Sequence, residues 1–527
     1  MSTAEVTSER GRASWLKGRL VPGLIVKIVL LAIAVGLVTY AVPKLVDQHA
    51  WVGLGATIAA TAVLVWIYTG RRNIPLKYLA PGTLLLIAFQ LYPVLYTIST
   101  AVTNYGDGHL LSKSQAISTI EAASVTEVPG SARYQLSVAT KGNPDSAPFV
   151  YFLTAPDGKV YQGTTSGLAA VTGDVQKSPS GKVIGVPGWH ILNALQVNHR
   201  SADLAKFDVP AGANGFVKNV GISEAYVGRT AVTYDRATDT LTDSRTRLTY
   251  HSKDGYFVAT DGSGRRFDTG WKVNVGLANF REVFDNADIR GPLVRIFFWT
   301  VAFALLTVAT TFALGLALAI TLDHPQLRGR RLYRSLLLLP YALPAFISLL
   351  VWQSMYNKDF GLINHLLHAK IDWLGNAWTA RLAILLANLW LGFPYMFLIC
   401  TGVLQSIPAE LRDAARVDGA SALQAFRSVT LPLLMISVMP LLIASFAFNF
   451  NNYNAIKLLT NGGPFPSNNS TAGDTDILIS YTFRIAFGAQ GAQYGLAATI
   501  SIAIFVLIAV ISYLGFRNTR RLEEIYR

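Results

Sequence analysis

Two stretches combine amide side chains with aromatic rings inside otherwise apolar runs. One reads Ser445-Phe446-Ala447-Phe448-Asn449-Phe450-Asn451-Asn452-Tyr453-Asn454, the other Asn388-Leu389-Trp390-Leu391-Gly392-Phe393-Pro394-Tyr395. A primary amide offers two donors and an acceptor with two lone pairs, which suits sugar hydroxyls. A neighbouring ring offers a flat apolar surface to the C–H face of a pyranose. Ser445, Phe448/Asn449 and Asn452 are spaced i, i+3/i+4, i+7, and Asn388, Leu391/Gly392 and Tyr395 repeat the spacing, so a helix would carry each set on one face. Gly392 would let a ligand approach the backbone. The plainer use of such asparagines is to join helices, because polar side chains hold helices together in a membrane. Four asparagines within six residues, beside Phe and Tyr, favour a cargo site, since intramembrane polar groups usually line a pathway.

Other chemistry finds no support. Gly158-Lys159 and Gly181-Lys182 are each followed by Val, so neither completes a Walker A loop. There is no HExxH and no Cys/His cluster. The one cysteine, Cys400, lies in an apolar run, which excludes a disulfide-stapled scaffold. His365 and His368 have a metal-compatible spacing but no third ligand beside them, which leaves a solvated or capping role. No catalytic residue, metal ligand or bound cofactor is expected of the chain. Arg295, Arg381 and Lys457 sit near the ends of apolar runs, and no Asp or Glu falls in mid-run. That argues against an ion-coupled carrier and against an anionic cargo.

Residues 406–432 are polar for a different reason. Pro408 with Glu410 marks a helix start. Leu411, Ala414 and Ala415 share a face, Gly419 allows a turn, and Ala422, Ala425, Phe426 and Val429 form a second short apolar face. Pro432 starts the next apolar run. Two short helices of small residues ahead of a span are shaped to fit a partner's groove. An amphipathic loop lying on the membrane surface is the bland alternative.

The elements that hold these stretches follow from composition. Of 527 residues, 51 % are hydrophobic and 14 % charged, where a soluble domain carries about 25 % charged. Wholly soluble and disordered chains are both excluded. Eight apolar runs can cross a hydrocarbon core of about 30 Å. They lie near 22–42, 51–69, 79–100, 292–322, 335–356, 380–405, 433–456 and 495–516. The first is not a cleaved signal on this reading, because a second run follows at once and Ala41-Val42-Pro43 is a poor cleavage site. The net charge of +14 belongs to the apolar part: residues 101–290 hold 19 Lys and Arg against 18 Asp and Glu, the remainder 26 against 13. That pattern fits basic cytoplasmic loops, not a nucleic-acid binder. Arg10, Arg12, Lys17, Arg19, Arg71, Arg72, Lys77, Arg328, Arg330, Arg331, Arg334, Arg517, Arg520 and Arg521 fall on one side of eight spans. The positive-inside rule makes that side, with both termini, cytoplasmic. Segment 101–291 then faces outward. It contains short β-type runs at 134–138 and 149–153, and Asp157-Gly158 reads as a hairpin turn.

Within the 406–432 loop, Asp413-Ala414-Ala415, Gly419 and Leu431-Pro432 resemble the EAA loop of ABC importer permeases, with Asp413 in the place of its Glu. More closely, the chain is similar to the family of large maltose/maltodextrin permease subunits. The likeness is densest from 291 onward, through Leu338-Leu339-Pro340-Tyr341-Ala342, the two asparagine stretches, Leu459-Thr460-Asn461-Gly462-Gly463-Pro464 and Tyr481-Thr482-Phe483-Arg484-Ile485-Ala486-Phe487. The resemblance implies an all-α polytopic membrane protein of eight transmembrane helices with an inserted β-rich periplasmic domain. Residues 1–100 would hold the cytoplasmic N-terminus and three helices, 101–291 the periplasmic domain, and 292–527 the permease core with its 406–432 loop. It further implies cargo contacts from Asn388, Leu391, Gly392, Tyr395, Phe448, Asn449 and Asn452, and ATPase docking through Asp413, Ala414, Ala415, Gly419, Leu431 and Pro432. The implied partners are a second, smaller permease subunit, two ATP-binding subunits that use the ATP, a periplasmic sugar-binding protein, maltose or maltodextrin cargo and the lipid of a bacterial inner membrane. A permease for another neutral oligosaccharide and a membrane-anchored receptor acting through its outer domain are the other readings.

The topology has a direct test. Cysteines introduced at 150–250 are expected to react with an impermeant thiol reagent in cells whose outer membrane alone is permeabilised, and cysteines at 328–331 or 412–420 are not. Labelling on the opposite side would sink the eight-span arrangement.

Overall fold

The computed structural model describes residues 22–47, 51–69, 74–204, 207–212, 215–324, 327–467, 471–488 and 491–525. Arg10, Arg12, Lys17, Arg19, Arg71 and Arg72, on which part of the charge argument rests, lie outside them. The chain divides near Thr97 into two compact units. In the first, α1 (Pro22–Asp47) and α2 (Trp51–Thr69) pair, and α3 (Ile74–Ala101) begins, the Tyr68 hydroxyl donating to the Lys77 carbonyl at 2.9 Å.

The second unit opens with the β-rich segment. Its larger sheet has the order Gly167–Ala170, Val160–Thr164, Phe149–Thr154, Arg133–Thr140, Glu224–Thr230, Phe216–Val220, Val209–Pro210. Both strands expected from sequence are present, and Gly158, at φ 81°, makes the turn into Val160–Thr164. Every residue of Phe149–Thr154 is buried. Tyr151 and Leu153 pack with Leu136 and Val217 on one face, Val150 and Phe152 with Val160 and Val183 on the other. Burial on both faces explains a continuous apolar run in place of alternation. A second sheet is an antiparallel meander of four strands from Val232 to Ala259. Asn279 Nδ2, donating to the carbonyls of Ala101 and Thr103 at 2.8 Å, closes the segment against the end of α3.

The helices that frame the site are α4 (Ala287–Asp323), α5 (Arg330–Leu337), α6 (Ala345–Met355), α7 (Ala377–Ser406), α8 (Ala409–Val417), α9 (Ala422–Phe450), α10 (Tyr453–Leu459), α11 (Leu478–Phe487) and α12 (Tyr494–Ile525). Among the described residues five helices are long and apolar enough to cross a membrane: α3, α4, α7, α9 and the Tyr494–Arg517 part of α12. The run expected at 335–356 is not one helix. Leu343 is extended, at ψ 137°, and α6 starts after it, because the residue before a proline is pushed out of the helical region. Pro432 departs from expectation in the other direction. It does not start a helix, since α9 runs through it from Ala422. A π-type turn at Phe426–Thr430 precedes it, with the Leu431 N–H reaching the Phe426 carbonyl five residues back. α3 passes Pro93 in the same way, through a turn at Ile87–Leu91. Proline lacks an N–H and clashes with the carbonyl four residues back. The wider turn removes that carbonyl from the ladder.

α4 packs along α7 more extensively than any other pair of elements. The contact is reciprocal. A Cβ on Gly315 would sit 2.7 Å from the Phe397 backbone nitrogen, and one on Gly392 would sit 2.8 Å from Thr311 Cγ2. Gly402, also on α7, has nothing within 4 Å of its Cβ position. Gly315→Ala is therefore expected to destabilise the purified protein by about 1–3 kcal/mol through overpacking. Gly402→Ala is expected to be neutral or stabilising by up to about 1 kcal/mol. Thermal unfolding in detergent reads both, and equal effects would show that the crossing is not tight.

Candidate cargo site and docking loop

α9 ends at Phe450. Asn451 departs from helical dihedrals, at φ −109° and ψ 20°, and Asn452 caps α10, its Oδ1 accepting from the Ala455 N–H at 3.2 Å. The single helix face expected to carry Ser445, Asn449 and Asn452 therefore stops one turn short. Asparagine side chains compete for backbone hydrogen bonds and favour caps, and apolar periodicity carries no trace of that. The break brings Asn452 to α7. Its Nδ2 donates to Asn388 Oδ1 at 3.2 Å, and Asn388, buried, donates its own Nδ2 to the Ile384 carbonyl at 2.9 Å. In this conformation the Asn388–Asn452 pair joins two helices.

The other residues of the set lie differently. Asn449 is half-buried and donates to the Ser445 carbonyl at 2.9 Å. Phe448 is 71 % and Tyr395 36 % exposed. Leu391 is half-buried against the cluster around Phe303 and Ile384. A Cβ at Gly392 would meet Thr311, so the glycine serves the α4–α7 crossing. An apolar groove of about 620 Å³ between α4, α9 and α12 is lined by Leu305, Phe312, Met439, Phe446 and Ile511 among others. It offers hydroxyl groups no partner, and burying them there would be costly.

A buried polar knot at the β-rich end of the bundle escaped the sequence reading. Asp476, fully buried, pairs with Arg484 and accepts from the Gly473 N–H and the Ser480 hydroxyl at 2.8 Å each. Arg484 also donates to the carbonyls of Thr471 and Asn461, at 2.9 and 2.8 Å. Gly462, at φ 86°, wraps this pair so closely that a Cβ there would collide with it. Asp474 and its neighbours fasten the loop to two helices. Arg295 of α4 pairs with the Asp474 carboxylate at 3.0 Å, Arg381 of α7 donates to the Asp474 carbonyl at 3.0 Å, and Thr300 accepts from the Leu478 N–H at 3.0 Å. The signal was present in Asn461-Gly462-Gly463-Pro464, two glycines where a loop must close on itself.

The 406–432 loop lies at the opposite end. Gly419 makes the turn at φ 83°, and Ser421 with Gln424 forms a capping box that starts α9. Phe426 packs on the cluster of Leu404, Ile407 and Leu434, and Ala425 beside it is buried. Leu411, Val417 and Leu423 do not: they are 44, 86 and 66 % exposed. Ala414 is exposed with them and Ala415 half-buried. Asp413 meets Arg416 at 3.4 Å, both side chains well exposed. Leu431 and Pro432 lie within α9.

Residues 311–523 match the model of binding-protein-dependent transport system inner membrane components, and residues 84–166 match the N-terminal part of the transmembrane subunit in PBP-dependent ABC transporters. With its apolar helices, the chain is a multi-pass membrane permease of that transporter class. It is 35 % identical over 492 residues to the maltose/maltodextrin transport system permease protein MalF of Vibrio vulnificus (strain YJ016), covering 88 % of this chain and 89 % of that one. It is also 35 % identical over 497 residues to the MalF protein of Salmonella typhi, covering 92 and 94 %. The chain belongs to the MalF family of maltose/maltodextrin transport system permease proteins. A solved structure of a bacterial ABC transporter involved in the import of the acidic polysaccharide alginate aligns with 47 % of this chain and 84 % of its own, at 22 % identity and TM-score 0.41.

The asparagines are expected to separate by experiment. Asn388→Ala leaves the Asn452 amide unpaired inside the bundle, at a cost of about 1–3 kcal/mol, and should lower the melting temperature and the yield of assembled transporter. Asn449→Ala should leave both near the parent values and cut sugar uptake several-fold. Parallel losses of yield and uptake in the Asn449 variant would make it a structural residue and remove it from the cargo site.

Proposed function

We propose that this chain is the large transmembrane subunit of an ATP-driven, binding-protein-dependent importer of maltose and maltodextrins. The observation that carries the reading is the separation of two unlike surfaces on one bundle. Phe448 of α9 and Tyr395 of α7 are exposed beside the half-buried amide of Asn449, while an uncovered apolar edge of Leu411, Val417 and Leu423 projects from the loop at the far end. Neutral amides suit an uncharged polyol cargo. An uncovered apolar edge beside a turn suits a groove on a partner. The maltose/maltodextrin names of the relatives set the cargo class.

In this reading the chain crosses the membrane eight times, with α5 and α6 forming one broken span. The loop end and both termini face the cytoplasm, and the β-rich segment faces the periplasm, where a loaded sugar-binding protein docks. A smaller permease subunit completes the path. Two ATP-binding subunits grip α8 through Asp413, Ala414, Ala415 and the Gly419 turn, and Leu431-Pro432 carries the pull into α9. Closure of those subunits on ATP tilts α8 and α9 and opens the asparagine–aromatic surface to alternate sides by rigid-body switching. No covalent chemistry is assigned to this chain.

Gly419→Pro tests the coupling. Proline fixes φ near −65°, opposite in sign to the 83° found here, and it deletes the N–H that donates to the Arg416 carbonyl at 3.0 Å. Expression should persist, uptake of labelled maltose into proteoliposomes should be abolished, and sugar-stimulated ATP hydrolysis should fall with it. Asp413→Glu should be tolerated and Asp413→Lys should weaken retention of the ATP-binding subunits. Parent-level uptake in the proline variant would take the loop out of the mechanism.

A further inference from the structure

Asp323 is the last residue of α4. A carboxylate there faces the negative end of the helix dipole, so its position needs cations to support it. Two are present, from two different elements. Arg330 of α5 meets one carboxylate oxygen at 3.0 Å, and Arg412 of α8 lies 3.8 Å from the other. The three side chains are between 26 and 37 % exposed, partly shielded from solvent. The second arginine of α8 behaves differently: Arg416 turns to Asp413 on its own helix. Arg412 is thus the cation that α8 directs to the core. At its other end α4 carries Arg295 and Thr300, which hold Asp474 and Leu478 of the knotted loop. With 37 residues, α4 is a rod of about 55 Å. One end is gripped by the docking loop, the other by the loop at the β-rich end.

We propose that Asp323 is a positioning residue for coupling: its carboxylate passes displacement of α8, through Arg412, to α4 and so to the far loop. The inference rests on the importer reading and adds a route to it. α9 moves with α8 through the chain itself. α4 is separated from α8 along the chain by α5, α6 and α7, and the Asp323–Arg412 pair gives it a direct charged contact with α8. Asp323 touches neither cargo nor nucleotide. Its removal should therefore alter the ratio of two activities before it alters either binding event.

The test uses the full transporter, reconstituted with its partner subunits and binding protein, with uptake and ATP hydrolysis measured on the same vesicles. Asp323→Asn and Arg412→Gln are each expected to lower sugar transported per ATP at least fivefold, with complex yield, melting temperature and basal hydrolysis of the Asp323 variant within twofold of the parent. Asp323→Glu and Arg412→Lys, which keep the charges, should retain more than half of the parent ratio. The double variant Asp323→Asn/Arg412→Gln should be no worse than either single one. A parent ratio in the neutral variants overturns the proposal, as does a parallel fall of yield, hydrolysis and uptake, which is the signature of a static brace. Either result leaves the importer reading intact, because the parent complex still couples. Absence of sugar-dependent hydrolysis in the parent complex would instead overturn that reading, and the proposal with it.

Discussion

The close crossing of α4 and α7 is the contact on which the rest of the membrane half depends. Two glycines, one on each helix, remove the side chains that would hold the axes apart, and each is met by a residue of the other helix. In a membrane there is no hydrophobic drive to press helices together, so close van der Waals contact between small residues does that work. The crossing also fixes the ends. Arg295 and Arg381 leave the two helices side by side and take hold of the same residue, Asp474.

Where backbone leaves helical geometry near the bundle core, side chains must satisfy it, since hydrocarbon offers no water. The Asn451–Asn452 break is the instructive case. The Asn452 carbonyl oxygen caps α10 and its amide nitrogen reaches Asn388. Asn388 and Asn452 are thereby drawn into the frame, while Phe448 and Tyr395 are exposed and Asn449 is half-buried. Side chains next to such a brace are pre-organised, because the residues behind them are already committed.

Much of this frame was legible in the sequence. α2 and α7 begin and end within three residues of the runs that hydropathy marks, and the strands at Arg133–Thr140 and Phe149–Thr154 contain the expected β runs. The Gly419 turn was legible too, because a left-handed residue between two helices has few solutions. The misses share a cause. Hydropathy averages over a window, and the break at Leu343-Pro344, the cap at Asn452 and the wide turns before Pro93 and Pro432 are single-residue events. The part Gly392 plays in the α4–α7 crossing is hidden for another reason: a glycine's neighbour cannot be seen from its own helix. Asp476 and Arg484 escape such a reading because seven residues of intervening sequence hide a pairing made by loop closure.

The distribution of charge along α4 gives the frame a mechanical character. Arg295 and Asp323 stand at opposite ends of it, and both are paired. Among the described residues, the ion pairs of the bundle lie at its two ends, and the stretch of α4 between Arg295 and Asp323 carries apolar, aromatic and threonine side chains and no charge. A charge pair broken within hydrocarbon would leave an uncompensated charge at severe cost. A pair at the edge can exchange partners with water as it opens. Placing the charges at the ends therefore leaves α4 free to tilt against α7 without breaking an ion pair in mid-membrane. The polar side chains that do occupy the interior, among them Thr300, Thr307, Thr311 and Asn388, are neutral, and their hydrogen bonds can be remade at far lower cost. A transporter must hold two arrangements of nearly equal free energy. A bundle clamped by charge at its ends and joined by neutral contacts between them meets that condition, and the same neutrality matches an uncharged sugar as cargo.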